Sequence, residues 1–234
     1  MGEGDVGEPH PVMSSAGTTM TLYEAIATRR DVRNEFRGDV IEEEVLLRLL
    51  RAAHAAPSVG HTRPWDFVVV RAPATLTRFA AHVAGCREDF ARSLPPDRAE
   101  TFGPIVIDGI EQSGTGIVVT YDPSRGGSHV LGRRTIDETG RLSVALAIEN
   151  LWLAATAEGI GVGWVSFYHK AFLRELLSIP DDIEPIAWLC VGPVTQFRGV
   201  PDLEHFGWRA GRPLEAAVHR ETYRTPSEAA SGEQ

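Results

Sequence analysis

Cysteine is nearly absent from this chain of 234 residues. Cys86 and Cys190 are the only two, which is too few for a disulfide framework. Both sit in apolar or mixed surroundings, as expected of buried thiols in a reducing, cytoplasmic setting. No apolar run approaches the length of a membrane span. The first residues lack the basic, apolar, small-residue order of a secretion signal, so none is expected. Positive charge is outweighed: 23 lysines and arginines stand against 32 aspartates and glutamates, a net charge of −9. Nucleic acid and anionic membrane surfaces are therefore poor partners. Any anion held by the local arginines must be small.

The signatures of several enzyme classes are also missing. There is no P-loop, HExxH, CxxC or GxSxG. The eight histidines include no pair at i,i+4, and no metal site is expected. Ser166 has no histidine placed by sequence to activate it, which disfavours a hydrolase. Gly159, Gly161 and Gly163 follow a helical pattern and precede a strand. That order is the reverse of the dinucleotide fingerprint and rules out a Rossmann site. These glycines are expected to cap the helix and to permit close packing.

What is present is enough apolar content, 43%, for one sizeable domain. Helices are expected at 21–30, 41–56, about 75–84, 142–158 and 171–177. Strands are expected at 65–70, 117–121, 164–167 and 185–192. The helix at 142–158 is apolar nearly all round and should be central and buried. Residues 86–112 are less regular, and two readings stand, a lid or a surface helical hairpin. Helices and strands mix without strict alternation, which gives an α+β fold with a small sheet flanked by helices. One domain over 21–221 is expected, with disordered tails at 1–20 and 222–234.

The most informative run is Arg29-Arg30-Asp31-Val32-Arg33. It closes a short helix that opens with the capping-box pattern Thr21-Leu22-Tyr23-Glu24. Arginine presents a rigid fork of donors suited to phosphate and to ring carbonyls. Positive neighbours favour the ionised form of the aspartate among them. By itself such a run is as readily a solvated charged turn.

Further segments change that balance. Arg29 to Arg33 followed by Phe36, Ala52 to Gly60, Pro64-Trp65-Asp66-Phe67, and Leu131-Gly132-Arg133 with Thr135 come in this order. Asn150 to Ala155, Ala157-Glu158-Gly159, Gly161 to Ser166, Leu189 to Gly192 and Gly207-Trp208-Arg209 follow. Together they resemble the 5,6-dimethylbenzimidazole synthase branch of the nitroreductase superfamily over about residues 21–221. Asp31 is the mark of that branch, since most flavin reductases of the superfamily carry a serine there.

The resemblance implies a nitroreductase-like FMN fold with a mostly antiparallel sheet, a long central helix and an intertwined homodimer. It implies that reduced FMN is the substrate. Molecular oxygen would break the flavin down to 5,6-dimethylbenzimidazole, the lower ligand of vitamin B12, with erythrose 4-phosphate as co-product. A separate NAD(P)H-dependent flavin reductase is an implied partner. Asp31 would be the proton-transfer group and Ser166 would assist oxygen activation. Arg29, Arg30 and Arg209 would hold the phosphate and ribityl chain, and Arg33 would face the pyrimidine edge. Ser58, Trp164, Val165 and Phe167 complete the implied flavin contacts, and the 86–112 stretch would be the lid. The chain departs from the pattern at His61-Thr62-Arg63, at Leu142 and over Glu111 to Gly116. The alternative implied by those departures is an NAD(P)H-dependent nitroreductase or flavin reductase that keeps its FMN intact.

Overall fold

Thr21 and Glu24 cap the first helix reciprocally. The Thr21 hydroxyl accepts the Glu24 N–H, and the Thr21 N–H donates to the Glu24 carboxylate at 2.7 Å. Helix α1 (Leu22–Thr28) therefore begins where the sequence pattern places it. The computed structural model describes residues 20–223. Of the two tails expected to be disordered, residues 1–19 and 224–234 lie outside the described residues.

Four strands form the sheet: β1 (Trp65–Val70), β2 (Thr115–Tyr121), β3 (Ile160–Val165) and β4 (Glu184–Pro193). Their order is β1-β2-β4-β3, and every adjacent pair is antiparallel. Strand β2 is buried at every position, in keeping with its apolar centre Ile117-Val118-Val119. On one face α2 (Glu43–His54) and α5 (Thr139–Ala157) cover the sheet. Leu46, Leu49, Val144, Ile148 and Leu151 pack there against Ile117, Val119, Leu189 and Val191. Trp188 alternates with Ala187 and Leu189 and so points to the opposite face. There it stacks on Phe79 of α3 (Pro73–Ser93), with centroids 3.8 Å apart. Helix α6 (Lys170–Leu177) follows β3.

Several elements differ from the sequence expectation. Strand β3 runs Ile160–Val165 rather than 164–167, so Gly161 and Gly163 lie within it. Helix α3 runs on to Ser93, and α4 (Pro96–Phe102) follows with Pro96 in its first turn. The first half of the 86–112 stretch is thus helical, because Pro95 and Pro96 start a helix as well as they stop one. A short α7 (Asp202–His205) lies within the expected C-terminal loop. Helix α5 is not buried all round: Leu142 is 58% and Leu146 48% exposed. Its inner face is used by the sheet and α2, and its outer face is left uncovered in the single chain.

The chain divides into two compact units. Among the described residues, the first holds 20–87 together with Val106–Phe197, and contains the sheet. The second holds Glu88–Ile105 and residues 198–223. Its described part is centred on Phe90, Phe102 and Trp208, with the Arg98 guanidinium 3.7 Å from the Trp208 ring.

Candidate active site

After α1 the chain turns and runs beside the edge strand β3. Asp31 forms a parallel bridge to Val162, and the Val32 N–H donates to the Val162 carbonyl at 3.0 Å. Glycine makes this approach possible. A Cβ on Gly163 would lie 2.2 Å from both Arg33 Nη1 and the Val32 carbonyl oxygen. The Gly161 and Gly163 pair therefore serves close contact, while Gly159, at φ +72°, follows the end of α5.

The contact is closed by a polar clamp. The Trp164 N–H donates to Asp31 Oδ1 at 2.8 Å. Arg33 Nη2 donates to Asp31 Oδ2 at 2.5 Å and to the Trp164 carbonyl at 2.6 Å. Arg33 Nη1 donates to the Val32 carbonyl at 3.2 Å. The Arg33 side chain is 8% exposed, whereas Asp31 is 48% exposed. Arg33 is thus spent inside the protein, and Asp31 has one side on the protein and one toward solvent. In this placement Arg33 orients Asp31 and the Trp164 carbonyl.

The other two arginines are placed differently. Arg30 Nη1 donates to the Ala27 and Arg29 carbonyls at 2.8 and 2.7 Å, satisfying acceptors at the end of α1. The Arg29 guanidinium stands 5.1 Å over the Trp152 ring, and its Nε is 4.0 Å from Glu149. Trp152 Nε1 donates to the Arg30 carbonyl at 3.2 Å. Arg29 is the arginine of this run least committed to close internal bonds.

Ser166 follows β3 directly and is exposed. Trp164 and Phe167 are half-buried. Val165 is fully buried, so only its backbone is available to a ligand. The clamp brings Asp31 and Ser166, 135 positions apart, to the same edge of the sheet, because Asp31 holds the amide of Trp164.

A second set of residues surrounds Ser58. Its hydroxyl accepts the Arg63 N–H at 2.9 Å, and the Val59 N–H donates to Ser143 Oγ at 3.0 Å. Gly60, His61 and Arg63 all have positive φ, at +54°, +55° and +45°. For histidine and arginine this is a strained backbone. Arg125 donates to the carbonyls of Arg63 and Trp65 and pairs with Asp66 at 2.8 Å. Sequence reasoning passed over one contact here. Arg63 Nη1 stands 3.3 Å from His54 Nε2, while Trp65 Nε1 donates to His54 Nδ1 at 3.2 Å. Arginine and indole only donate, and a neutral imidazole has one acceptor. The Arg63 Nε is also buried without a hydrogen-bond partner among the described residues. Arg63 is thus poorly matched to its surroundings. The run of a histidine and an arginine after Gly60 was the available signal.

Arg209 belongs to the second unit, where its N–H donates to the Leu203 carbonyl at 3.1 Å. Burial pushes the Cys190 thiol up to about 12, which leaves it protonated and inert as a nucleophile. Among the described residues no cluster of His, Cys, Asp and Glu is arranged to hold a metal, and no helix is long and apolar enough to cross a membrane.

Comparison with known proteins gives this site a context. A sequence model of the nitroreductase family matches residues 26–193. The 5,6-dimethylbenzimidazole synthase of Rhodospirillum rubrum is 37% identical over 185 residues, which span 79% of this chain and 87% of that one. Oxidized iodotyrosine deiodinase bound to FMN and 3-iodo-L-tyrosine superposes with a TM-score of 0.69 at 19% identity, covering 87% of this chain and all of that one. A BluB-like flavoprotein from Clostridium difficile 630 gives 0.63 at 21% identity with the same coverage. The two structural likenesses are of fold. The chain belongs to the nitroreductase family, on the branch of the 5,6-dimethylbenzimidazole synthases.

Proposed function

We propose that this protein is an oxidoreductase that makes 5,6-dimethylbenzimidazole, the lower ligand of vitamin B12, by oxygen-dependent breakdown of reduced FMN, with erythrose 4-phosphate as co-product. The observation that carries this reading is the clamp. It joins the branch's marker aspartate, Asp31, to the amide of Trp164, two residues before Ser166.

The donor set fits FMN. Arg29 and Arg30 supply guanidiniums for a phosphate. Trp164 and Phe167 offer partly exposed aromatic edges to a flat ring. The backbone of Val165 and the hydroxyls of Ser58 and Ser166 offer hydrogen bonds. When bound, reduced FMN supplies the electrons for oxygen and the ring that becomes the product. The protein's own residues do the rest. The Asp31 side chain is 48% exposed, so its carboxylate can meet a ligand hydroxyl and take its proton. Arg33 holds that carboxylate in one orientation, and Ser166 lies two residues beyond the Trp164 amide that the carboxylate accepts.

The site also calls for company. Leu142 and Leu146 on α5 and Leu22 and Ile26 on α1 form exposed apolar surface. A second copy of this chain covering it, as a homodimer, would exclude water from oxygen chemistry. A separate NAD(P)H-dependent flavin reductase would deliver FMN already reduced, in the cytoplasm. The strained 60–63 loop favours a second reading, because it sets a cationic residue next to Ser58. That reading is an NAD(P)H-dependent nitroreductase that keeps its flavin.

The test mixes the purified protein with photoreduced FMN and admits air. Loss of the flavin chromophore with 5,6-dimethylbenzimidazole detected by mass spectrometry is the expected result. Full return of oxidised FMN without fragments would refute the synthase reading, and NAD(P)H-driven reduction of nitro compounds would be measured next.

A further inference from the structure

On the face of the sheet that carries Trp188, α3 touches the segment that leads out of Ser166. Strand β3 ends at Val165, and α6 begins at Lys170 with His169 as its N-cap. Helix α3 meets the intervening residues at two points. Phe79 lies 5.6 Å from the Tyr168 ring and stacks on Trp188 behind it. One turn further on, His82 lies flat against Phe172 of α6, with centroids 3.8 Å apart and planes within 4°. That stacking fixes the plane of the imidazole. Its Nε2 accepts the backbone N–H of His169 at 3.1 Å. The first contact is apolar and indifferent to pH, and the second exists only while Nε2 has a lone pair.

We propose that His82 is a positioning residue for the Ser166 segment, holding it through the His169 amide in the neutral state and releasing it on protonation. The proposal rests on the functional reading above only in giving Ser166 a part in the reaction. Protonated His82 presents an N–H to an N–H, so the bond is lost. The titratable groups that face it are few. From the α6 side His169 brings its ring within 5.5 Å, and on its own helix Cys86 Sγ lies 3.7 Å from Nε2. The adjoining Lys170 ammonium is engaged 2.5 Å away by Glu184.

Burial, and then the charge His169 can carry, hold the His82 pKa below its ordinary value of 6.5. The unfolded chain therefore takes up the proton first as pH falls. The His82 contribution is complete above about 6.5 and is lost as pH drops through the lower folded value. Neutral conditions leave the segment held, and mild acid frees it.

The experiment is amide hydrogen exchange on the full chain without flavin between pH 5 and 8, with the His82 ring titration followed by NMR. Wild type is compared with two variants. His82→Gln keeps an acceptor that does not titrate, and His82→Phe keeps the stack on Phe172 without an acceptor. In wild type, protection of the His169 amide should fall about fivefold or more as His82 protonates, the loss of one hydrogen bond. His82→Gln should hold its protection across the range, and His82→Phe should lack it throughout. Wild-type protection that ignores the titration, or survives in His82→Phe, overturns the inference. The functional readout is the acid limb of the pH–rate profile for flavin consumption, which should be lost in His82→Gln. An unchanged acid limb in that variant overturns the positioning role. The exchange readout uses no flavin, so a failed flavin reaction would sink the functional reading and leave the joint itself standing.

Discussion

Two arginines, Arg33 and Arg63, lie outside the helices and strands of the same unit, and their surroundings treat them in opposite ways. Arg33 finds a carboxylate and two carbonyls within 3.2 Å, all of them acceptors. Arg63 finds an imidazole already engaged by Trp65, and its Nε is buried without a partner among the described residues. The backbone tells the same story, since Arg63 has a φ of +45°. The guanidinium is identical in the two places. What differs is whether its fork of donors meets acceptors. The first arrangement locks a site residue in place, and the second stores strain beside Ser58.

The largest expected effect comes from spoiling the first arrangement. Asp31→Asn keeps one acceptor for the Trp164 amide but turns an NH₂ toward Arg33, so donor meets donor over a nearly buried charge. Stability should fall by about 1–3 kcal/mol. Product formation should fall about 10²–10⁴-fold if Asp31 also transfers a proton, while FMN binding persists. Thermal melts and product assays on the same preparation separate the two losses. Normal product formation would remove Asp31 from the chemistry and leave it as a clamp alone.

Next in size is Gly163→Ala. The added Cβ would fall 2.2 Å from Arg33 Nη1 and from the Val32 carbonyl. The carbonyl cannot yield without moving the Asp31–Val162 bridge. A cost of about 1–3 kcal/mol is expected from overpacking, read by chemical denaturation of the flavin-free protein. An unchanged midpoint would mean that the first arrangement is looser than its distances indicate.

How much of this was legible beforehand follows the same division. The capping box at Thr21 and Glu24 was readable because it is local, three residues apart on one turn. Strand β2 was readable because its burial makes an apolar run. The cluster of Arg29, Asp31 and Arg33 stood out as charge, and the resemblance gave it a role. Its actual bonds were invisible, because the acceptor for Arg33 and the donor for Asp31 are backbone atoms of Trp164, more than 130 positions away. A sequence shows side chains and conceals which main-chain groups a fold leaves unpaired. For that reason the fold expectation could be read from the pattern, while the bonds of Arg33 could not. The outer face of α5 was misread for a related cause. Apolar residues all round a helix state that it is covered, and leave open whether the cover is the same chain. His54, Arg63 and Trp65 were each unremarkable alone, and only their convergence on one imidazole shows a conflict.

Smaller effects test the second arrangement. Ser58→Ala removes the acceptor that holds the Arg63 amide in its strained conformation. The cost should be about 1 kcal/mol, measured as a lower denaturation midpoint in the flavin-free protein. A larger loss would mean that Ser58 supports the 122–133 loop as well as Arg63.

The smallest change carries the opposite sign. Arg63→Asn places at φ +45° a residue that tolerates the left-handed region. It also withdraws a guanidinium that stands against an imidazole nitrogen with no free acceptor, and whose own Nε is unmatched. The Arg125 bonds to the main chain at residues 63 and 65 stay in place, because they use carbonyl oxygens. Stability should therefore rise, by up to about 1 kcal/mol. A midpoint that rises for Arg63→Asn and falls for Asp31→Asn would establish that the two arginines do opposite work. A fall for both would mean that Arg63 has found a compensation in solution, and the strain at 60–63 would then need another source.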